Sequence, residues 1–166
     1  MTGSNKFLFG IVVGIILLVI VTFSVVMLRP EPTYQDASTP DGAAHNYLLA
    51  LQQGDYEHAY QYIPSDFKYP TDAFDFEDDV RRNSWQFDLD DDFSLAVESI
   101  KQQDDDKAII TVRKTTFSNN GLMGSYQYSR TFKMDMVREN DLWKVSDAEN
   151  YWSHCWGKLR ENGCRK

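Results

Sequence analysis

The sequence predicts an α+β chain in which an N-terminal transmembrane helix precedes a domain of about three helices packed on an antiparallel sheet of four or more strands. Three observations predict it. Positions 7–28 hold twenty-two residues without a charge. Downstream, apolar residues recur first with a helical period of 3.6 and then with a strand period of 2. The helical segments all come before the strand segments, which is an α+β order.

The uncharged run reaches from Phe7 to Leu28 between Lys6 and Arg29 and is dominated by Ile, Val, Leu and Phe. As a helix it would rise roughly 33 Å, enough for a hydrocarbon core of about 30 Å. A cleavable signal would be shorter and would end at small residues. The exit Ser24-Val25-Val26-Met27-Leu28-Arg29 has no such site, so the expectation is an uncleaved, single-pass anchor. Lys6 against Arg29 hardly decides its direction. After Arg29, however, the chain holds 25 acidic and 15 basic residues and no second apolar run. This favours a cytoplasmic tail (1–6) and an extracytoplasmic C-terminal domain at the cell membrane. Gly10 and Gly14 form a G-x-x-x-G pair through which two such helices could make a homodimer, although glycine is common in membrane helices for other reasons.

The formal net charge of −8 argues against nucleic acid as a partner, because an acidic surface repels phosphate backbones. Aromatic residues make up 14% of the chain, a content that disordered segments lack and that implies a packed core.

Residues 29–38 read as a linker, since Pro30 and Pro32 favour an extended spacer. The domain is expected over 39–152. Thr39-Pro40-Asp41 carries the signals of a helix start: a capping hydroxyl, a proline suited to the first turn and an acid at the positive end of the dipole. Ala44, Tyr47, Leu48 and Leu51 then share one helical face until Gly54. Asp55 opens a second helix with Tyr56, Ala59, Tyr60 and Ile63 on one face, stopped by Pro64. A third helix is expected over Asp72 to Trp85. Strands are expected over Phe93–Gln102, Lys107–Phe117, Ser125–Arg138 and Leu142–Ala148, separated by turn-forming stretches. In the third, Tyr126, Tyr128, Phe132, Met134 and Met136 alternate with polar residues, which implies one buried and one wet face.

The stretch Thr39-Pro40 through Ala44, Tyr47-Leu48, Ala50-Leu51, Gly54-Asp55-Tyr56 and Ala59-Tyr60 resembles the opening of the nuclear transport factor 2-like (cystatin-like) superfamily. It is most similar to small bacterial membrane-anchored or lipoprotein-type members. Leu142-Trp143-Lys144-Val145 looks like a late strand of that family. The resemblance implies a cone-shaped domain, with a strongly bent sheet wrapped around the helices and an apolar pocket at its open end. It leaves function open, because that fold hosts isomerases, dehydratases, binding modules and interaction domains.

Candidate chemistry is sparse. His45 and His58 fall away from the apolar faces of their helices and are expected to be solvated. Enzymes of the superfamily use a pocket carboxylate as base and tyrosine or acid donors toward an oxyanion. Here Tyr126 and Tyr128 share the inward row of the third strand, and Asp147 has the parity of Trp143 and Val145, so it is the one carboxylate that alternation aims inward. Arg130 interrupts the same row as Tyr128 and could meet a ligand carboxylate, or else lie at the sheet margin. Tyr128, Arg130, Trp143 and Asp147 are therefore the ligand-pocket candidates. Asp88, Asp90 and Asp92 have calcium-loop spacing, but Phe93 and Ser99 stand where the loop needs glycine and glutamate. Cys155 and Cys164, the two cysteines, are expected to form a disulfide in the tail 153–166. A zinc site built on His154 and both cysteines lacks a fourth ligand.

The functional expectation is a non-enzymatic, membrane-anchored binding domain for a partner protein or a small apolar ligand, with no cofactor and no metal. Its rivals are an isomerase- or dehydratase-type enzyme, with Asp147 as base and Tyr128 as donor, and a scaffold domain of a membrane complex.

Overall fold

The computed structural model describes residues 4–27, 32–87, 89, 93–119 and 125–157. These fall into two compact units, Met1–Thr33 and Tyr34–Lys166. The first contains helix α1, Ser4–Met27. Its hydroxyls are satisfied internally, Thr22 Oγ1 donating to the Leu18 carbonyl and Ser24 Oγ to that of Ile20, both at 2.8 Å.

The fold class needs one correction. Among the described residues no helix is long and apolar enough to cross a membrane. The transmembrane helix therefore drops out of the architecture, and the α+β class of the second unit stands.

That unit begins with residues the sequence places in the linker. Gln35 exchanges hydrogen bonds with the Asn46 side chain, donating at 2.6 Å and accepting at 2.8 Å. Helix α2, Pro40–Gln53, starts where Thr39 Oγ1 accepts from the Gly42 N–H at 3.2 Å, and ends where Gly54 takes a left-handed φ of 70°. Asp55 caps α3, Tyr56–Tyr60, and Asp72 caps α4, Ala73–Arg82, by the same side-chain-to-amide device. The expected third helix is split: Asn83 leaves helical geometry, and Ser84–Phe87 form a separate turn, α5.

Strands β1 (Phe93–Asp104), β2 (Lys107–Asn119), β3 (Ser125–Glu139) and β4 (Leu142–Ala148) pair antiparallel in the order β1-β2-β3-β4. Asn140 and Asp141 both have positive φ, 50° and 66°, as a two-residue hairpin between twisted strands requires. The outer edge of β4 is covered rather than bare: the Trp143 N–H donates to Ala37 and the Val145 N–H to Tyr62.

The core lies between the helices and one face of the sheet. Tyr47, Leu51, Phe76 and Val80 from the helices meet Ile110, Val112, Phe132, Met134, Met136 and Val145 from the strands. Tyr151, Trp152 and Trp156 close it, although Trp156 belongs to a segment the sequence reads as a tail. Trp156 stacks on Phe76 with centroids 4.7 Å apart, and its indole N–H donates to Asp79 Oδ2 at 3.0 Å. The Tyr47 hydroxyl, wholly buried, donates to the Tyr151 carbonyl at 2.6 Å.

Candidate functional site

Two concavities adjoin where α5 approaches the segment after β4, sharing Trp85, Gln86 and Asn150. The larger, about 690 Å³, is walled by Phe67, Trp152 and Trp156 and bordered by Asp147, Glu149 and His154. The smaller, about 210 Å³, is floored by Lys114 and Thr116 of β2, Tyr128 and Arg130 of β3, and Tyr151.

Strand register builds the smaller floor. Lys114 pairs with Arg130 and Thr116 with Tyr128. These four continue the inward row of Ile110 and Val112 on β2 and of Phe132 and Met134 on β3, beyond the point where helices cover it. The Arg130 guanidinium lies over the Tyr128 ring, 4.9 Å from its centroid, and its Nε–H donates to the Tyr128 hydroxyl. The Lys114 ammonium sits 4.4 Å from the Phe93 centroid and 5.6 Å from that of Tyr151. Aromatic faces of this kind hold cations in place. Gln86, on the shared wall, has a buried Oε1 without a hydrogen-bond partner among the described residues.

The four sequence candidates do not converge. Tyr128 and Arg130 line the smaller concavity, Asp147 the larger, and Trp143 is 4% exposed in the core, lining neither. The inward aim expected of Asp147 is corrected by a β-bulge. Met136 pairs with Val145 and Asp135 with Asp147, so β4 carries one extra residue, Ser146, against β3. That insertion reverses the alternation beyond Val145. Asp147 is exposed, and its Oδ1 accepts from the Ala148 N–H at 2.9 Å. Burial, followed by the neighbouring Asp147 and Glu149, pushes the carboxyl of its cross-strand partner Asp135 above the usual range.

His58 also departs from expectation. Rather than standing free in solvent, its ring stacks between Tyr34 and Tyr62, with centroids at 4.1 and 5.7 Å. His45 is half-buried. Asp88, Asp90 and Asp92 lie outside the described residues, as does Cys164 and with it the expected crosslink, while Cys155 is not a free thiol. Among the described residues no group of three His, Cys, Asp or Glu could hold a metal ion. The pattern-based reading passed over Lys114, Trp85 and Gln86. Lys114 was discoverable, because it keeps the parity of Ile110 and Val112 and therefore puts a charge on the buried face.

No protein-family model matches the chain, and no curated protein matches it. Solved structures similar to it include a ketosteroid isomerase-like protein from Erwinia carotovora atroseptica, 11% identical with a TM-score of 0.47, covering 70% of this chain and 95% of that one. Another is an NTF-2 like protein of unknown function from Shewanella oneidensis, 12% identical with a TM-score of 0.43, covering 64% and 90%. A SEC-C motif containing protein from Rhodopseudomonas palustris is 16% identical with a TM-score of 0.49, covering 70% and 81%. Its structural neighbours thus include NTF2-like and ketosteroid isomerase-like proteins, at a similarity from which no activity follows.

Proposed function

We propose that residues 34–166 form a nuclear transport factor 2-like binding domain that takes a small apolar ligand in the paired concavities and works outside the cytoplasm. The observation that carries the ligand reading is the pair of open spaces, about 690 and 210 Å³, meeting at Trp85, Gln86 and Asn150. Cavities of this size, walled by aromatic side chains and furnished with a few polar groups, suit a small molecule. The order of helices before an antiparallel meander and the motifs from Thr39 to Tyr60 support the family reading. The compartment is supported by Cys155: it is not a free thiol, and the sequence holds one other cysteine, Cys164.

The isomerase-type reading gains nothing from the geometry, because Asp147 and Tyr128 line different concavities and Asp147 is occupied by a backbone amide. A scaffold whose pocket is filled by its own side chains is equally unsupported by two open spaces. The test is a titration of the full chain with aromatic and aliphatic small molecules, followed by tryptophan fluorescence and calorimetry. Trp85 is 74% exposed and stands on both walls, so Trp85→Ala should weaken any ligand at least tenfold while leaving the fold intact. Binding that is indifferent to Trp85→Ala, or no binding at millimolar concentrations of any compound, would overturn the reading.

A further inference from the structure

The end of β4 and the segment after it bring two carboxylates to the border of the larger concavity. The bulge at Ser146 turns Asp147 away from the core face, and Glu149, two residues on, borders the space with it. Backbone bonds hold both in place. Asp147 Oδ1 accepts from the Ala148 N–H at 2.9 Å and Glu149 Oε2 from the Lys133 N–H at 3.0 Å, while the Glu149 N–H donates back to the Lys133 carbonyl at 3.0 Å. An amide is a dipole and cancels neither charge. Their field reaches the neighbouring strand, where, after burial, they push the Asp135 carboxyl above its usual range against the opposing effect of Lys133. A cleft bordered by negative charge between low-dielectric walls concentrates cations.

The remaining walls are aromatic. Phe67 and Trp152 meet edge to face with centroids 6.0 Å apart, and Trp85, 74% exposed, stands at the seam. Such rings pack on hydrocarbon and also attract a cation to their faces, Trp most strongly. Beside Trp85, the buried Oε1 of Gln86 has no donor among the described residues, and an acceptor of this kind suits an N–H and not a carboxylate. Resting on the binding reading above, we propose that the larger concavity is an amine site and that the ligand is an apolar-bodied primary or secondary ammonium ion. Its charged nitrogen faces Asp147 and Glu149, and its body packs on Trp85, Phe67 and Trp152.

The test titrates phenylbutylamine, phenylbutanol and phenylbutanoate calorimetrically into the full chain and into its Asp147→Asn, Glu149→Gln and doubly substituted variants. His154 also borders the space, so the titrations are made at pH 8, above the ordinary range of an imidazole. At low ionic strength the amine should bind at least about tenfold more tightly than the alcohol or the acid, and raising the salt to about 0.5 M should shrink that preference. Each single variant keeps the oxygen that accepts the backbone N–H and should reduce the preference; the double variant should abolish it without changing affinity for the alcohol. Circular dichroism confirms that each variant is folded. If the acid or the alcohol binds as tightly as the amine, or the double variant keeps the preference, the amine site is refuted while the cavity remains a ligand site. If no compound binds, the broader reading falls and takes this inference with it.

Discussion

Replacing Tyr47 with phenylalanine removes one oxygen and no packing. That oxygen donates to the Tyr151 carbonyl at 2.6 Å, in a position where Tyr47 is 0% and Tyr151 2% exposed. Phenylalanine fills the same space, so the cost is that of breaking this one buried hydrogen bond, about 1 to 3 kcal/mol. For a unit of this size each kcal/mol moves the melting temperature by roughly 3 to 4 °C, so Tyr47→Phe should melt about 3 to 12 °C lower. Urea denaturation followed by fluorescence measures it, with an unchanged slope against denaturant showing that the unfolded state is unaltered. Tyr34→Phe is the control: its hydroxyl, 3.2 Å from Gln53 Oε1, is exposed, and its loss should cost under about 0.5 kcal/mol. Because Tyr151 also floors the smaller concavity, ligand affinity should fall along with stability. If Tyr47→Phe proves no worse than the control, the hydroxyl does not clamp the end of the core and the reasoning fails.

Asp135 should make its own pH signature. Its carboxyl is raised by burial and then by Asp147 and Glu149, so the stability it contributes is complete below the ordinary value of 3.8 and is lost as pH rises through the elevated one. Asp135→Asn should therefore stabilise the protein at pH 7, by less than about 1 kcal/mol given solvent screening, with the gain gone by about pH 3 in denaturation curves. Glu139 behaves oppositely. Hydrogen bonds from the Ser65 hydroxyl and N–H hold it below its usual range, so Glu139→Gln should destabilise at pH 7 and approach wild type as acid removes the charge. Gly157 has φ of 74°, and a Cβ there would lie 2.8 Å from the Phe67 ring, so Gly157→Ala should lower the melting point and disturb ligands in the larger concavity more than those in the smaller. For the disulfide expected from the sequence between Cys155 and Cys164, reduction should add two hydrogens by intact mass, and Cys155→Ser should cost about 2.5 to 3 kcal/mol in urea.

Much of the fold was legible because the residues that set it act locally. Thr39, Gly54, Asp55 and Asp72 stop or start helices through their own side chains or backbone, and each performs that role here. The strand boundaries likewise follow from alternation and turn chemistry. What alternation could not show is a change of phase. The unpaired Ser146 leaves no mark in the pattern Trp143, Val145, Asp147, yet it moves Asp147 to another side of the sheet. The site was half legible for a related reason. Tyr128 and Arg130 lie on one strand and can be read from its period, whereas their partnership with Lys114 depends on cross-strand register. Trp85 and Gln86 depend on how the turn after Asn83 folds back, which no local period encodes.

The bond between Tyr47 and Tyr151 spans 104 residues. A ribosome emits the first half of this clasp well before the second, so α2 must wait, its hydroxyl unmatched, until the sequence as far as Trp156 has emerged. Translation halted short of that point would yield a nascent product with its hydrophobic interior open to solvent, vulnerable to chaperones and proteases alike. Maturation of this domain is thus a late event in biosynthesis, settled by its final aromatic residues.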